Sequence, residues 1–314
     1  MTNLKPPGTI QVDVDDLWVY YESIGLRAPD DCPAPAFEQG VPRLLDLFDR
    51  FDIRATFFVC GRDAAAQRAT LAEMVSRGHE IANHSTWHRT GFANLSTEEK
   101  RADIATTHWL LTGATGVQPG GFKSPGFSFA PDQLAVLAGL GYRYDSSLLP
   151  TPYAPLMRMA QRFLSGGTVD PTHYGKARYG IAPLRPYTPD PSASHRAVNS
   201  RGGASLMNAV IEAPVTTMPL TRLPMHSTFV LTAGQLLFDA GLALTTTCNV
   251  PVNYLLHAGD AIDATTAGAL SSYRFLVQPW QEKEALLDHM LARLSAAYRL
   301  LPTIEYVEEL MADS

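Results

Sequence analysis

Short β-branched or apolar runs alternate with helical stretches along most of the chain, and several of the runs end on an acidic residue or a histidine. Thr9–Val14 alternates in strand fashion, and Ala55–Val59, Glu80–Asn83, Gly121–Lys123 and Tyr142–Tyr144 read as further short strands. Between them the apolar spacing predicts helices over Val41–Phe51, Asp63–Arg77 and Pro131–Leu140. Ser96 and Glu99 form a capping box that opens a helix running through Trp109. This order predicts an α/β fold, a mostly parallel sheet with helices outside it. Asp15–Gly40, with Pro29, Pro33 and Pro35, reads as a loop. From Pro150 to Gly203 the pattern dissolves into Pro, Gly, Ser and Arg, a length that suits a lid or a mobile segment. Alternation resumes at Ala209–Val215, Ala243–Thr247 and Val252–Leu256, followed by a helix over Glu282–Leu300 and a terminal strand at Ile304–Val307. The expectation is one domain over 1–314 with an insertion at 150–205.

With 46% hydrophobic and 18% charged residues, the chain of 314 can bury a sizeable core. A net charge of -6 argues against nucleic acid as a partner. No apolar run reaches the roughly 18 residues of a membrane-spanning helix, and Met1–Gly8 lacks the apolar stretch of a signal peptide. Three widely spaced cysteines, Cys32, Cys60 and Cys248, form neither a disulfide framework nor a zinc knuckle. They read as free thiols, and the expected location is the cytoplasm.

Five strand ends carry candidate chemistry. Asp13, Asp15 and Asp16 crowd the end of the first strand; residues two apart share a face, so Asp13 and Asp15 can point into one site, where a cation would relieve their repulsion. His84 and His88 meet on one face if their segment turns helically, which presents two imidazoles to Zn²⁺ or a similar metal. Lys123-Ser124-Pro125-Gly126-Phe127 places a tight turn whose glycine lets backbone N–H groups approach a ligand, as an oxyanion hole requires. Tyr144-Asp145 and His257 close two further strands, where α/β sheets bind ligands. His257 is thereby a candidate proton donor. The alternative for each feature alone is structural: an acidic turn, a histidine in a packing role, an ordinary turn.

Taken in order, these motifs resemble the polysaccharide deacetylase superfamily, the NodB-homology or carbohydrate esterase 4 group. Arg54–Gly61, Gly78–Ser85 and Gly141–Ser147 are similar to the family's characteristic stretches, and the resemblance covers Ile10 to Leu149 well and Ile211–Val307 loosely. It implies a distorted (β/α) barrel, often of seven strands, and metal-dependent hydrolysis of N-acyl groups, acetyl or formyl, on amino sugars. The first motif, Asp-Val-Asp-Asp, looks like an Asp-x-Asp subgroup that includes peptidoglycan deacetylase homologues and lipid-linked aminoarabinose deformylases. On that alignment Asp13 is the base and Asp15 the ligand; on the adjacent-pair alignment Asp15 is the base and Asp16 the ligand. Lys123 stands where the family's third motif starts with Arg, and a Lys123–Asp145 pairing would substitute for the fork that Arg makes.

The expected site therefore has Asp15, His84 and His88 on a divalent metal, Zn²⁺ by default with Ni²⁺ or Co²⁺ as fits. Asp13 serves as base and His257 as acid. Gly126, Lys123 and Asp145 serve the oxyanion and the orientation of the base, and Trp18, Trp87, Pro125 and Phe127 bind substrate. The substrate would be a small or lipid-linked N-acyl amino sugar, and a homo-oligomer is compatible with this reading. Two rivals stand beside it: a hydrolase of a cyclic amide or ureido compound on the same scaffold, and a non-catalytic sugar-binding protein.

Overall fold

The computed structural model describes residues 5–165, 169–198, 209–265 and 268–312. Its centre is strand β1 (Pro7–Val14), whose residues Ile10, Val12 and Val14 are fully buried. Parallel neighbours flank it on both edges. β9 (Val252–His257) pairs with residues 8–13, while β2 (Thr56–Val59) pairs with residues 11–14 and β10 (Arg299–Leu301) with residues 7–9. From β2 the sheet continues through β3 (Glu80–Asn83), β4 (Gly121–Phe122), β5 (Tyr144–Asp145) and β8 (Ile211–Glu212), every pairing parallel. Seven strands run in series from β10 to β8. The gap to β9 is spanned by Thr216, whose N–H donates to Asn253 O at 2.9 Å. This is the distorted (β/α) barrel expected from the sequence.

Helices clothe the outside: α2 (Val41–Arg50), α3 (Arg68–Ser76), α4 (Thr97–Thr115), α5 (Asp132–Gly139), α8 (Gln235–Thr247), α10 (Trp280–Ala297) and α11 (Thr303–Ala312). The capping box of α4 is formed: Ser96 Oγ accepts from Glu99 N–H at 3.2 Å, and Glu99 Oε2 accepts from Ser96 N–H at 2.8 Å. Val12, Val14, Leu44, Phe48, Phe57, Leu256 and Leu291 share the largest apolar cluster between sheet and helices. At about 25 cal/mol per Å² of apolar surface buried, that packing is the main source of stability. No helix among the described residues is long and apolar enough to cross a membrane.

Four expectations are corrected. Asp15–Gly40 is not all loop: α1 (Leu17–Ser23) starts directly after the first strand, and a π-helical turn covers Ala36–Gly40. Ala243–Thr247 is the end of α8, not a strand, because Phe238, Leu242 and Thr245 lie on one buried helical face. Ile304–Val307 lies within α11; the terminal strand is β10, which the backbone of Pro7–Thr9 recruits. The segment after Pro150 is only partly irregular. It holds α6 (Ala154–Ser165), a 3₁₀ turn at Ala177–Ile181 and a hairpin of β6 (Pro189–Asp190) with β7 (Ala193–Ala197). Its second half is built into the barrel side: Tyr179 and Tyr187 pack with Phe129 and Leu148, and Tyr187 exchanges backbone hydrogen bonds with Glu212. Arg201 of that segment lies outside the described residues.

Candidate active site

The parallel strands all deliver their C-terminal ends to one mouth of the barrel, as α/β barrels do. At the end of β1, Asp13 and Asp15 face inward, 4% and 6% exposed. Asp16 turns elsewhere: its Oδ1 accepts from Leu17 N–H at 2.8 Å and caps α1. The period-two geometry of a strand thus separates the three carboxylates, two into the mouth and one onto the helix that follows.

His84 and His88 reach the same point by a different route from the one expected. Their segment is not helical: Ser85 and His88 have φ of 65° and 44°. Side chains hold this turn. Asn83 Oδ1 accepts from Ser85 N–H at 2.9 Å, Ser85 Oγ from His88 N–H at 3.0 Å, and Asp103 Oδ1 from Thr86 N–H at 2.8 Å. The two rings meet edge to face with centroids 5.0 Å apart. His84 Nδ1 lies 2.9 Å from Lys123 O; as its donor to that carbonyl, it leaves Nε2 with a lone pair facing the mouth.

Asp15 Oδ1 lies 3.6 Å from His84 Nε2 and 3.5 Å from His88 Nε2. These separations are long for hydrogen bonds, but ligand atoms at 2.0–2.1 Å from a tetrahedral Zn²⁺ stand about 3.4 Å apart. Asp15 Oδ1 and His84 Nε2 are buried without any hydrogen-bond partner. Leaving such groups unmet costs on the order of 1–3 kcal/mol each, more for a charge. Burial, and then the charge of Asp13, pushes the Asp15 carboxyl well above the usual aspartate range, while burial and then His84 push His88 well down. A cation would remove both penalties. Among the described residues, Asp15, His84 and His88 form the one acidic or histidine group whose donor atoms converge, within 4.8 Å of one another. The three residues fit a divalent metal.

Asp13 sits beside this trio, with Oδ2 3.8 Å from His84 Nε2. Its Oδ1 accepts from Lys123 Nζ at 2.6 Å. The expected Lys123–Asp145 pairing is not formed. Lys123 lies over the Phe58 ring, 4.2 Å from its centroid, which aims the ammonium at β1, and Asp145 instead accepts from Gln133 Nε2 at 2.8 Å and Ser147 Oγ at 2.5 Å. Burial alone would raise the pKa of Asp13; the charges of Lys123, His84 and His257 outweigh it and hold the carboxyl below the ordinary aspartate value.

On the neighbouring strand, His257 ends β9 in register with Asp13, and its Nδ1 lies 3.1 Å from Thr228 Oγ1. Asp260 Oδ2 accepts from His257 N–H at 2.8 Å and from the Ser227 hydroxyl, which pins this corner. Gly126 has φ 56°, and a Cβ there would stand 2.2 Å from His173 Nδ1. The next segment docks through the same glycine, with Tyr174 N–H donating to Gly126 O at 2.8 Å and the Tyr174 ring stacked on Phe127. Of the expected substrate-binding aromatics, Trp87 is 48% exposed, whereas Trp18 is 6% exposed and covered by the Arg62 guanidinium. Pro125 is buried, and Phe127 is 7% exposed beneath Tyr174.

Sequence reasoning missed His226. It is buried with neither ring nitrogen hydrogen-bonded, and its centroid is 6.4 Å from that of His257. Burial, then the charge of His257, pushes its pKa down to about 3, so it is neutral at pH 7. It follows Pro224 and Met225 in no recognisable motif, and only the tertiary fold brings it to the mouth.

The polysaccharide deacetylase family model matches residues 29–144. A peptidoglycan deacetylase of Helicobacter pylori is 29% identical over 147 residues, 46% of this chain and 50% of that protein. A peptidoglycan-N-acetylglucosamine deacetylase of Bacillus cereus is 29% identical over 105 residues, 33% of this chain and 37% of that protein. The matched region thus spans half or less of these relatives. Among solved structures, a Mycobacterium smegmatis protein assigned as a polysaccharide deacetylase superposes with TM-score 0.64 at 19% identity, covering 100% of this chain and 93% of that one. The Puue allantoinase superposes with TM-score 0.61 at 15% identity, covering 99% and 92%. The family match over residues 29–144 and the sequence relatives support the polysaccharide deacetylase superfamily, the NodB-homology or carbohydrate esterase 4 group, and the solved structures show the shared barrel.

Proposed function

We propose that the chain is a metal-dependent hydrolase of an N-acyl group, acetyl or formyl, on an amino sugar or glycoconjugate. The observation that carries this reading is the convergence of Asp15, His84 and His88 beside a carboxylate, Asp13, held by a buried lysine. A divalent metal there, Zn²⁺ by default and Ni²⁺ or Co²⁺ as alternatives, would be held by those three residues and would supply Lewis acidity toward water and the amide carbonyl.

The protein groups do the rest. Asp13 is kept ionised by Lys123 and takes the proton of the attacking water. Lys123, not Asp145, orients it. In this reading the oxygen that becomes negative is met by a backbone N–H of the turn at Gly126. His257, on the strand paired beside Asp13, gives a proton to the departing amine, which is a poor leaving group without one. Trp87 offers the exposed ring that suits a sugar face. The peptidoglycan deacetylases among its relatives support an N-acetylated glycan as substrate.

The decisive experiment follows the mass of candidate N-acyl amino sugars incubated with the protein plus Zn²⁺ or Co²⁺, with His84→Ala as control. Loss of one acyl group in the wild type alone is expected. Because the barrel is shared with an allantoinase, a cyclic ureide belongs in the same panel; turnover of that compound alone would replace the sugar reading. Sugar binding with no turnover of anything would favour the non-catalytic rival.

A further inference from the structure

The chain carries a net charge of -6, but one stretch runs against it. Between Ser146 and Pro189 stand five basic residues, Arg158, Arg162, Lys176, Arg178 and Arg185, and a single acid, Asp170. Arg162, Lys176 and Arg178 are exposed, and Arg158 is half-buried. None of these four is in an ion pair with a described residue. Arg158 donates to the carbonyls of His173 and Gly175, and Arg178 lies over the Tyr179 ring. The Asp170 carboxylate turns to Asn94 and to the N–H and hydroxyl of Thr172. The balance of charge here is positive on an acidic molecule.

α6 adds an apolar stripe to that charge. Leu156, Met159 and Phe163 are spaced i, i+3 and i+7, so they share one face of the helix. That face meets solvent: Phe163 is 88% exposed, and Leu156 and Met159 are each more than half exposed. Arg158 and Arg162, one turn apart, run along the edge of the stripe. The stripe continues beyond the helix. Tyr153 Oη donates to Thr221 O at 3.1 Å, next to Leu220, and Arg222 Nη1 donates to Ala182 O at 2.7 Å, next to Ile181. Tyr153, Leu156, Met159, Phe163, Ile181 and Leu220 are half of the exposed large apolar side chains among the described residues, a concentration that marks an interaction surface. Met159 and the two arginines also share a groove of about 280 Å³ with Val169 and Pro171. Guanidinium groups beside apolar walls suit a phosphate that carries an acyl chain.

We propose that α6 and the loop at Leu220 form a docking surface for an anionic phospholipid membrane, on which the protein rests without crossing it. Lipid phosphates meet Arg158 and Arg162 at the level of the headgroups, while Leu156, Met159 and Phe163 enter the acyl boundary. A soluble anionic polymer would use the charge and leave Phe163 and Leu220 in water. Val169 and Pro171 also line a cavity with Thr90 and His173, close to His88 and Gly126, so the docked face flanks the barrel mouth. Docking of this kind does not depend on which bond is hydrolysed there.

Co-sedimentation of the full chain with vesicles tests it, using phosphatidylcholine alone and an equal mixture of phosphatidylcholine and phosphatidylglycerol. The mixed vesicles should bind about tenfold more tightly at low salt, and the difference should shrink as salt is raised. Phe163→Ser should weaken binding to the mixed vesicles about tenfold, and Arg162→Gln about fivefold. Both side chains are exposed, so thermal melting should be unchanged in either variant. Glycerol 3-phosphate, which has the headgroup chemistry without the chains, should not compete. Equal sedimentation with the two vesicles, or none with either, would overturn the proposal. So would competition by glycerol 3-phosphate, which marks a site for a small anion. Undiminished binding by Phe163→Ser would also overturn it, because recognition would then be of charge alone.

Discussion

Lys123 Nζ and Asp13 Oδ1 lie 2.6 Å apart although 110 residues separate them, and both side chains are almost wholly buried. An arginine would offer a planar fork at this position; lysine offers a point charge, and the Phe58 ring beneath its ammonium helps to fix where that charge sits. The proposed base is thus oriented by one short contact. Lys123→Met leaves a buried carboxylate unpaired, which costs about 3–5 kcal/mol. Thermal melting should show that loss, and turnover should fall by two orders of magnitude or more. Lys123→Arg should keep measurable turnover. Full activity in Lys123→Met would remove the orienting role.

The metal assignment separates three neighbouring aspartates. Asp15→Asn, His84→Ala and His88→Ala should each lose bound metal, measured by elemental analysis. Asp13→Asn should retain metal and lose turnover. Asp16→Asn should retain metal, turnover and stability, because an asparagine Oδ1 caps α1 as an aspartate does. Metal loss in Asp16→Asn with an active Asp13→Asn would instead support the adjacent-pair reading.

The face shared by Asp13 and Asp15 was legible in sequence because a strand has a fixed period, and Glu80–Asn83 was found with its bounds because both ends carry clear signals. The route to His88 was not legible. Its turn depends on Ser85 and His88 at positive φ, held by Asn83, Asp103 and Thr107 side chains from the strand and from α4. Nor was the end of α8: three consecutive threonines read as a strand, yet Thr245 and Thr246 hydroxyls donate back to Gly241 O and Leu242 O, which satisfies them inside a helix. The partner of Lys123 was misjudged for the same reason. Pairing across a barrel is a property of the closed sheet, and spacing along the chain does not encode it.

His79 makes stability depend on pH away from the site. Its Nδ1 accepts from Ala55 N–H at 3.0 Å, and its ring lies against Phe48 and Phe57. Burial holds its pKa down to about 4, below the ordinary histidine value of 6.5. Between those values the unfolded chain binds a proton that the folded chain refuses, so the stabilisation is complete above pH 6.5 and is lost as pH falls toward 4. The slope from this group approaches about 1.4 kcal/mol per pH unit. His79→Asn keeps an acceptor for Ala55 and removes the titration. Denaturant unfolding at a series of pH values should show a shallower acid fall in the variant; an identical slope would mean that other groups govern it.

The last prediction concerns the contact that seats the insertion. Gly126 has φ 56°, and its missing Cβ leaves the space that His173 fills. Gly126 O also accepts from Tyr174 N–H, and Arg158 Nη1 holds the backbone of His173 and Gly175 at 2.7 and 2.9 Å. Gly126→Ala keeps every N–H of the turn, so it leaves the proposed oxyanion donors in place. It adds a methyl where the imidazole lies and places alanine in a left-handed conformation, at about 1–2 kcal/mol. His173 and Tyr174 should then be displaced, with the part of the insertion that they seat. A disaccharide substrate should show a KM raised about tenfold, while a small N-acyl amine that does not reach the insertion should change far less. His173→Ala in the same background frees the space for the methyl and should recover part of the lost KM through the Tyr174 and Arg158 anchors. Equal losses on both substrates with no recovery in the double variant would mean that Gly126 serves the reacting centre alone, and that the insertion does not depend on it.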